Sequence, residues 1–128
     1  MANNDAHTAL VREALQELAL QGYTCWANQT GALRTESGGF LKFGKVGSAD
    51  IFCVLPIFWH DRKFGVHAEF EAKTGTGRQS KNQKLHQEFV VERNGGVYIV
   101  FRSVPELLAE VKRVVNFYHI STPHSQPS

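Results

Sequence analysis

The sequence predicts an α/β fold: one mixed sheet of about four strands, helices packed on its faces, and an extra C-terminal helix. Three observations carry this reading. Amphipathic helical stripes open and close the chain, two strand-like runs adjoin in its middle, and a helix followed by a strand comes after them.

The first helix is expected from about His7 to Gln21. Leu10, Val11, Ala14, Leu15 and Leu18 recur at helical spacing and make one apolar stripe, which Gly22 ends. Tyr23 to Ala27 reads as a short strand. Asn28 to Gly47 is rich in Gly, Thr and Ser and reads as a loop with room for a short hairpin. Ala49 to Ile57 is a strand, Trp59 to Gly65 a turn region, and Val66 to Lys73 the next strand. Thr74 to Gln79 is a Gly-rich connection. Lys81 to Asn94 reads as a helix with Ser80 as its N-cap and Gly95-Gly96 closing it. Val97 to Arg102 is β-branched and aromatic, as strands are. Ser103-Val-Pro-Glu106 is a capping-box start for a last helix reaching about His119, with Leu107, Leu108, Val111, Val114, Val115 and Tyr118 as its stripe.

With 128 residues, 42% of them hydrophobic, the chain is long enough for one core. A single domain over 1–120 is expected, with a disordered tail over 121–128 that lacks apolar residues to bury. The longest apolar run, Ile51 to Trp59, is too short and interrupted for a membrane span, and Met1 to Asp5 lacks the basic and apolar character of a leader. No membrane role and a cytoplasmic location are therefore expected. Cys25 and Cys53 form no CxxC pair and read as buried, reduced thiols. The net charge of +2 permits a polyanionic partner without arguing for one.

The chemistry concentrates around Val66 to Lys73. Side chains alternate along a strand, so Val66, Ala68, Phe70 and Ala72 share an apolar face. His67, Glu69, Glu71 and Lys73 share the other. That second face is either a solvated strand surface or a site. Asp50 decides between them. The midpoint between positions 50 and 71 falls at His60-Asp61, so a hairpin turning there sets Asp50 opposite Glu71. Two such carboxylates repel unless a cation lies between them. A divalent ion with hard oxygen ligands, Mg²⁺ or Mn²⁺, would do this, with Lys73 on the same face. The Ala72 carbonyl is a further candidate ligand by position. A register slip of one residue would separate the pair.

Arg78, Lys81 and Lys84 follow with no acidic residue among them, and Lys42 and Lys45 precede Asp50. Any one of these reads as an ordinary surface cation; the cluster beside two acids favours a polyanionic, phosphate-bearing substrate. His67 is a surface histidine or a substrate contact, and Glu69 a partner of the site or an exposed acid.

Gly47-Ser-Ala-Asp50, Glu71-Ala-Lys73, the Gly-rich basic loop leading to Gln83, Gly95-Gly96 and Tyr98-Ile-Val-Phe-Arg-Ser-Val104 together resemble the VRR-NUC family of the PD-(D/E)XK nuclease superfamily. The resemblance runs from about Gln21 to Leu108, and Asn28 to Gly31 resembles the family's early loop, which makes Asn28 a DNA-binding candidate. It implies a restriction-endonuclease-like αβββαβ core. It also implies that Asp50 and Glu71 are metal ligands, Lys73 the catalytic lysine and Gln83 an active-site residue, although Ser80 to Gln83 also reads as a capping box. Family members tend to carry a glutamate early in the first helix that completes the metal site; here His7 or Thr8 falls near that place. Glu13 or Glu17 could substitute from another turn or simply form the solvated face, and His7 could itself contact the metal. Stand-alone phage and bacterial members act as homodimers on branched DNA such as Holliday junctions. The expected function is therefore a Mg²⁺- or Mn²⁺-dependent endodeoxyribonuclease. The competing readings are a non-catalytic DNA-binding module and a sequence-specific restriction-type enzyme.

Overall fold

The computed structural model describes residues 2–29 and 31–120, apart from the side chains of 2–4, 31–33, 41–43 and 118–120. The tail over 121–128, expected to be disordered, lies outside the described residues.

Helix α1 spans Ala2–Leu20, starting earlier than His7. No residue from Ala2 to Ala6 breaks a helix, and Asp5 in the first turn complements the helix dipole. The helix ends in a Schellman turn. Tyr23 N–H donates to Leu18 O, Gly22 N–H to Ala19 O, and Gly22 takes a φ of 89°.

Strands β1 (Thr24–Ala27), β2 (Gly31–Arg34) and β3 (Phe40–Phe43) follow. Then come β4 (Ile51–Trp59), shifted two residues along from the expected Ala49 to Ile57, and β5 (Arg62–Ala72), which starts earlier than the expected Val66. The turn region read as Trp59 to Gly65 is only His60-Asp61, both at positive φ. Two such residues make the tight hairpin turn whose twist matches the strands, and Asp tolerates that conformation without help from glycine.

Helix α2 (Lys81–His86) continues through a π turn (Gln87–Val91) and a 3₁₀ turn (Glu92–Asn94) to Gly95, which takes a φ of 84°. The expected regular helix over Lys81 to Asn94 is thus irregular. The wider turn brings His86 and Val91, five residues apart, both into buried positions, which a regular α-helix would set on diverging faces. Strand β6 (Val97–Phe101) and helix α3 (Val104–Ile120) complete the chain.

The main sheet has order β1-β4-β5-β6, antiparallel except for the parallel β5–β6 pair. The parallel pair requires a crossover, and α2 with its extension supplies it. β2 and β3 form a separate two-stranded sheet, the short hairpin allowed for between Asn28 and Gly47.

One face of the main sheet carries the large core. Ile51, Cys53, Leu55, Ala68, Phe70, Ala72, Ile99 and Phe101 pack there against Ala14 and Leu18 of α1 and Leu107 and Val111 of α3. Cys53 is fully buried as read; Cys25 is only partly so. Among the described residues, the second face is covered where the crossover crosses it, and there Val91 of the crossover packs with Ala49 and Tyr98. Beyond that cover Trp26, Val54 and Phe58 remain exposed.

β5 lies inside the sheet, so its polar face is no solvated strand surface. Glu69 is 2% exposed and Glu71 4%. Among the described residues, no helix is long and apolar enough to cross a membrane.

The crossover helix rests on Gly47, where a Cβ would stand 2.4 Å from the Asn82 carbonyl oxygen and φ is 89°. Gly22 has the same φ and open space. Gly22→Ala is expected to cost about 1–2 kcal/mol from backbone conformation alone. Gly47→Ala should cost clearly more, read as a lower urea midpoint. Equal midpoints for the two variants would show that the close approach has no energetic consequence.

Candidate metal centre

The hairpin register fixes the site. Ile51 pairs with Phe70, and the same register carried one residue further sets Asp50 opposite Glu71. Asp50 sits just before β4, on a segment held from several sides. Asn28 Nδ2 donates to Ser48 Oγ and to Ala49 O, both at 2.8 Å, and Asn28 N–H donates to Asp50 O at 2.8 Å. Ala49 N–H donates to Glu69 Oε1 at 3.1 Å. Asn28, a DNA-binding candidate by sequence, is thus a brace for the Asp50 segment.

Asp50 Oδ2 accepts a 2.9 Å hydrogen bond from Ala72 N–H. The contact that Ala72 makes here runs through its amide and not through the carbonyl considered as a ligand. His7 Nε2 stands 3.1 Å from the same Asp50 oxygen. One ligand atom each from His7, Asp50 and Glu71 lies within 4.8 Å of the others, a group able to hold a metal ion. Glu13 is exposed, Glu17 is half-buried, and neither belongs to the group. The position near which the resemblance sought a glutamate is a histidine that reaches the acids. The helical spacing of His7 to Val11 and Ala14 was the signal, since all three fall on the stripe facing the sheet.

Glu71 Oε2 accepts from Gln83 Nε2 at 2.8 Å and lies 3.2 Å from Lys73 Nζ. Lys73 Nζ also donates to Gln83 Oε1 at 2.9 Å. That oxygen accepts from Ser80 N–H at 2.9 Å, while Ser80 Oγ accepts from Gln83 N–H at 3.1 Å. The capping box and the site contact are therefore one arrangement. A single amide caps α2 with its oxygen and ties that helix start to Lys73 and Glu71.

Burial, with the nearby Asp50 charge adding to it, pushes the Glu71 carboxyl up to about 7 against the opposing pull of Lys73 and Gln83. Two acids and a single lysine leave the group short of positive charge, which a cation would supply.

A second buried carboxylate lies behind the first. Glu69 Oε2 is 2.7 Å from His67 Nε2, and His86 Nε2 is 2.9 Å from Glu69 Oε1. Glu69 is therefore not an exposed acid, and His67, half-exposed, is tied to it. His86 escaped the sequence reading. Its signal was the i, i+3 spacing from Gln83, which sets both on the helix side that faces the sheet. Arg102 was also missed: its guanidinium donates to the carbonyls of Gly75 and Gly77 and holds the Gly-rich loop.

Arg78, Lys81 and Lys84 are exposed around the start of α2, and Lys45 is exposed before Asp50. The Lys42 side chain lies outside the described residues. A cleft of about 560 Å³ is lined by His7, Ala72, Lys73 and Thr74 to Gly77, and a second, of about 320 Å³, by His7, Arg12, Asn28 and Asp50 among others. His7 lines both clefts, and Asp50 lines the second. A cleft of about 530 Å³ at the other end of the hairpin, beside Tyr23, Pro56 and Phe64, has no acid in its lining.

The raised Glu71 carboxyl sets a pH dependence. The folded value of about 7 exceeds the ordinary 4.5, so its contribution to stability is complete below about 4.5 and is lost as pH rises through 7. A cation takes the ionised form and reverses that loss. The rise in melting midpoint with Mn²⁺ should therefore be larger at pH 8 than at pH 6, and Glu71→Gln should abolish it. An equal Mn²⁺ shift at both pH values, or one that survives Glu71→Gln, would remove Glu71 from the ligand set. No family model matches the chain, and neither a curated protein nor a solved structure shows significant similarity to it.

Proposed function

We propose that this protein is a metal-dependent endonuclease of the PD-(D/E)XK type, similar to the VRR-NUC family, that hydrolyses DNA phosphodiester bonds. The observation that carries the reading is the convergence of His7, Asp50 and Glu71 on one small volume, with Lys73 beside Glu71.

The donor set fits a divalent cation. Two carboxylates suit Mg²⁺ or Mn²⁺, and the imidazole of His7 ranks Mn²⁺ first, because nitrogen ligands favour it over magnesium. Such an ion supplies Lewis-acid polarisation of a phosphoryl oxygen and a water acidified for in-line attack. The chain supplies the remainder. Asp50, just before β4, and Glu71, on β5, would hold the ion together with His7. Lys73, 15% exposed, places positive charge where the pentavalent phosphorus gains negative charge, and Gln83 holds that ammonium in position. The exposed Arg78, Lys81 and Lys84 bind flanking phosphates, and Lys45 extends the basic rim.

We take the substrate to be branched DNA, such as a Holliday junction, and the acting form to be a homodimer. Both rest on the sequence resemblance.

Purified protein with Mn²⁺ is expected to cleave a four-way junction in preference to linear duplex, and EDTA should stop it. Asp50→Asn and Glu71→Gln should each reduce cleavage below detection. Lys73→Met should lower the rate by about 10²–10³-fold while the Mn²⁺ thermal shift persists. Salt-sensitive binding to DNA without cleavage under any divalent ion would replace this reading with that of a non-catalytic binder.

A further inference from the structure

We propose that Cys25 and Cys53 are a redox modification site, forming an intramolecular disulfide between β1 and β4 when a peroxide is present. The inference is independent of the nuclease reading.

The two residues are direct cross-strand partners on antiparallel strands. Asn28 N–H donates to Asp50 O, so 28 and 50 belong to a hydrogen-bonded pair of this ladder. Pair types alternate along an antiparallel ladder. Counting back three positions makes Cys25 and Cys53 a non-hydrogen-bonded pair, whose Cα atoms approach to about 4.5 Å with both side chains on one face. That separation falls inside the span a disulfide bridges without moving backbone. Both cysteines are free thiols, and they hydrogen-bond to each other.

Their surroundings divide the labour. Cys25 lies on the short edge strand and is partly exposed, while Cys53 is fully buried. The hydrogen bond from Cys53 holds the Cys25 thiol below its usual range, and the same bond together with burial pushes Cys53 up. Cys25 is the sulfur that an oxidant meets first, already in thiolate-favouring contact with its partner.

The step balances with hydrogen peroxide as the named oxidant. The Cys25 thiolate attacks one peroxide oxygen, the O–O bond breaks, and a sulfenic acid forms as hydroxide leaves and takes a proton. Cys53 sulfur then attacks the Cys25 sulfur. The S–S bond forms, the S–OH bond breaks, and the Cys53 proton leaves with the hydroxide as water. Two thiols lose two protons and two electrons, and the peroxide is reduced to two waters.

The bond would strap the edge strand to its neighbour three residues from both Asn28 and Asp50. The segment carrying Asp50 would then be anchored covalently as well as by the Asn28 hydrogen bonds.

The full folded chain is treated with hydrogen peroxide, then unfolded in guanidinium with excess N-ethylmaleimide and weighed intact. The expected product is a monomer about 2 Da lighter that accepts no maleimide, whereas untreated protein accepts it on both cysteines and dithiothreitol restores that state. Cys25→Ser should give no lighter species and leave Cys53 open to maleimide. The oxidised monomer should melt several degrees above the reduced form, as an unstrained cross-link would. The proposal is overturned by sulfinic or sulfonic acid on Cys25 with Cys53 still reactive, or by disulfide-linked dimers. Full maleimide uptake at every peroxide dose, or a melting midpoint below that of the reduced form, overturns it equally.

Discussion

Everything at the centre of this molecule depends on the pairing register of one hairpin. Because Ile51 faces Phe70, Asp50 and Glu71 stand side by side on the covered face of an interior strand. Two carboxylates in that position are unfavourable by themselves, since burial and mutual repulsion both resist ionisation. The surrounding structure compensates in part. Ala72 N–H and His7 meet Asp50, while Lys73 and Gln83 meet Glu71. The compensation is incomplete, as the elevated Glu71 carboxyl shows, and it leaves an arrangement suited to a divalent ion.

Rigidity around that pair comes from groups that serve two purposes. Gln83 satisfies the start of α2 and fixes Lys73 with the same oxygen. Any shift of the crossover helix therefore moves the lysine. Asn28 closes the β1–β4 ladder and braces the two residues before Asp50. Glu69 receives Ala49 N–H and holds His67 and His86, so the second carboxylate fixes the backbone that presents the first. A buried polar network of this kind works only when nearly every member is satisfied, and here the Nδ1 of His86 and the hydroxyl of Tyr98 are left without a partner among the described residues.

The structure departs from sequence expectation in ways that share one cause. A charged strand face reads as solvated when nothing is known to cover it. Glu69 is buried because a helix nearly twenty residues further along folds back over it, and no pattern local to β5 announces that. The same holds for Asn28, whose partners are twenty residues away. The turn at His60-Asp61 was blurred into a longer region because neither residue is glycine and the flanking strands carry Lys, Arg and His at their exposed ends.

The sequence by itself determined the main elements and their order, because hydrophobic periodicity and capping residues are local. It offered a hairpin about His60-Asp61 that would set Asp50 beside Glu71, and the pairing of Ile51 with Phe70 fixed that register. It also supplied Lys73, Gln83 and the basic residues after them. Tertiary structure alone decided that His7 joins the acids, that Gln83 is cap and site partner together, and that Glu69 is enclosed by His67 and His86. These are contacts between side chains distant in the chain or on different elements. They exist only because α1 and α2 dock on particular stretches of the sheet, and docking is fixed by the packing of whole surfaces.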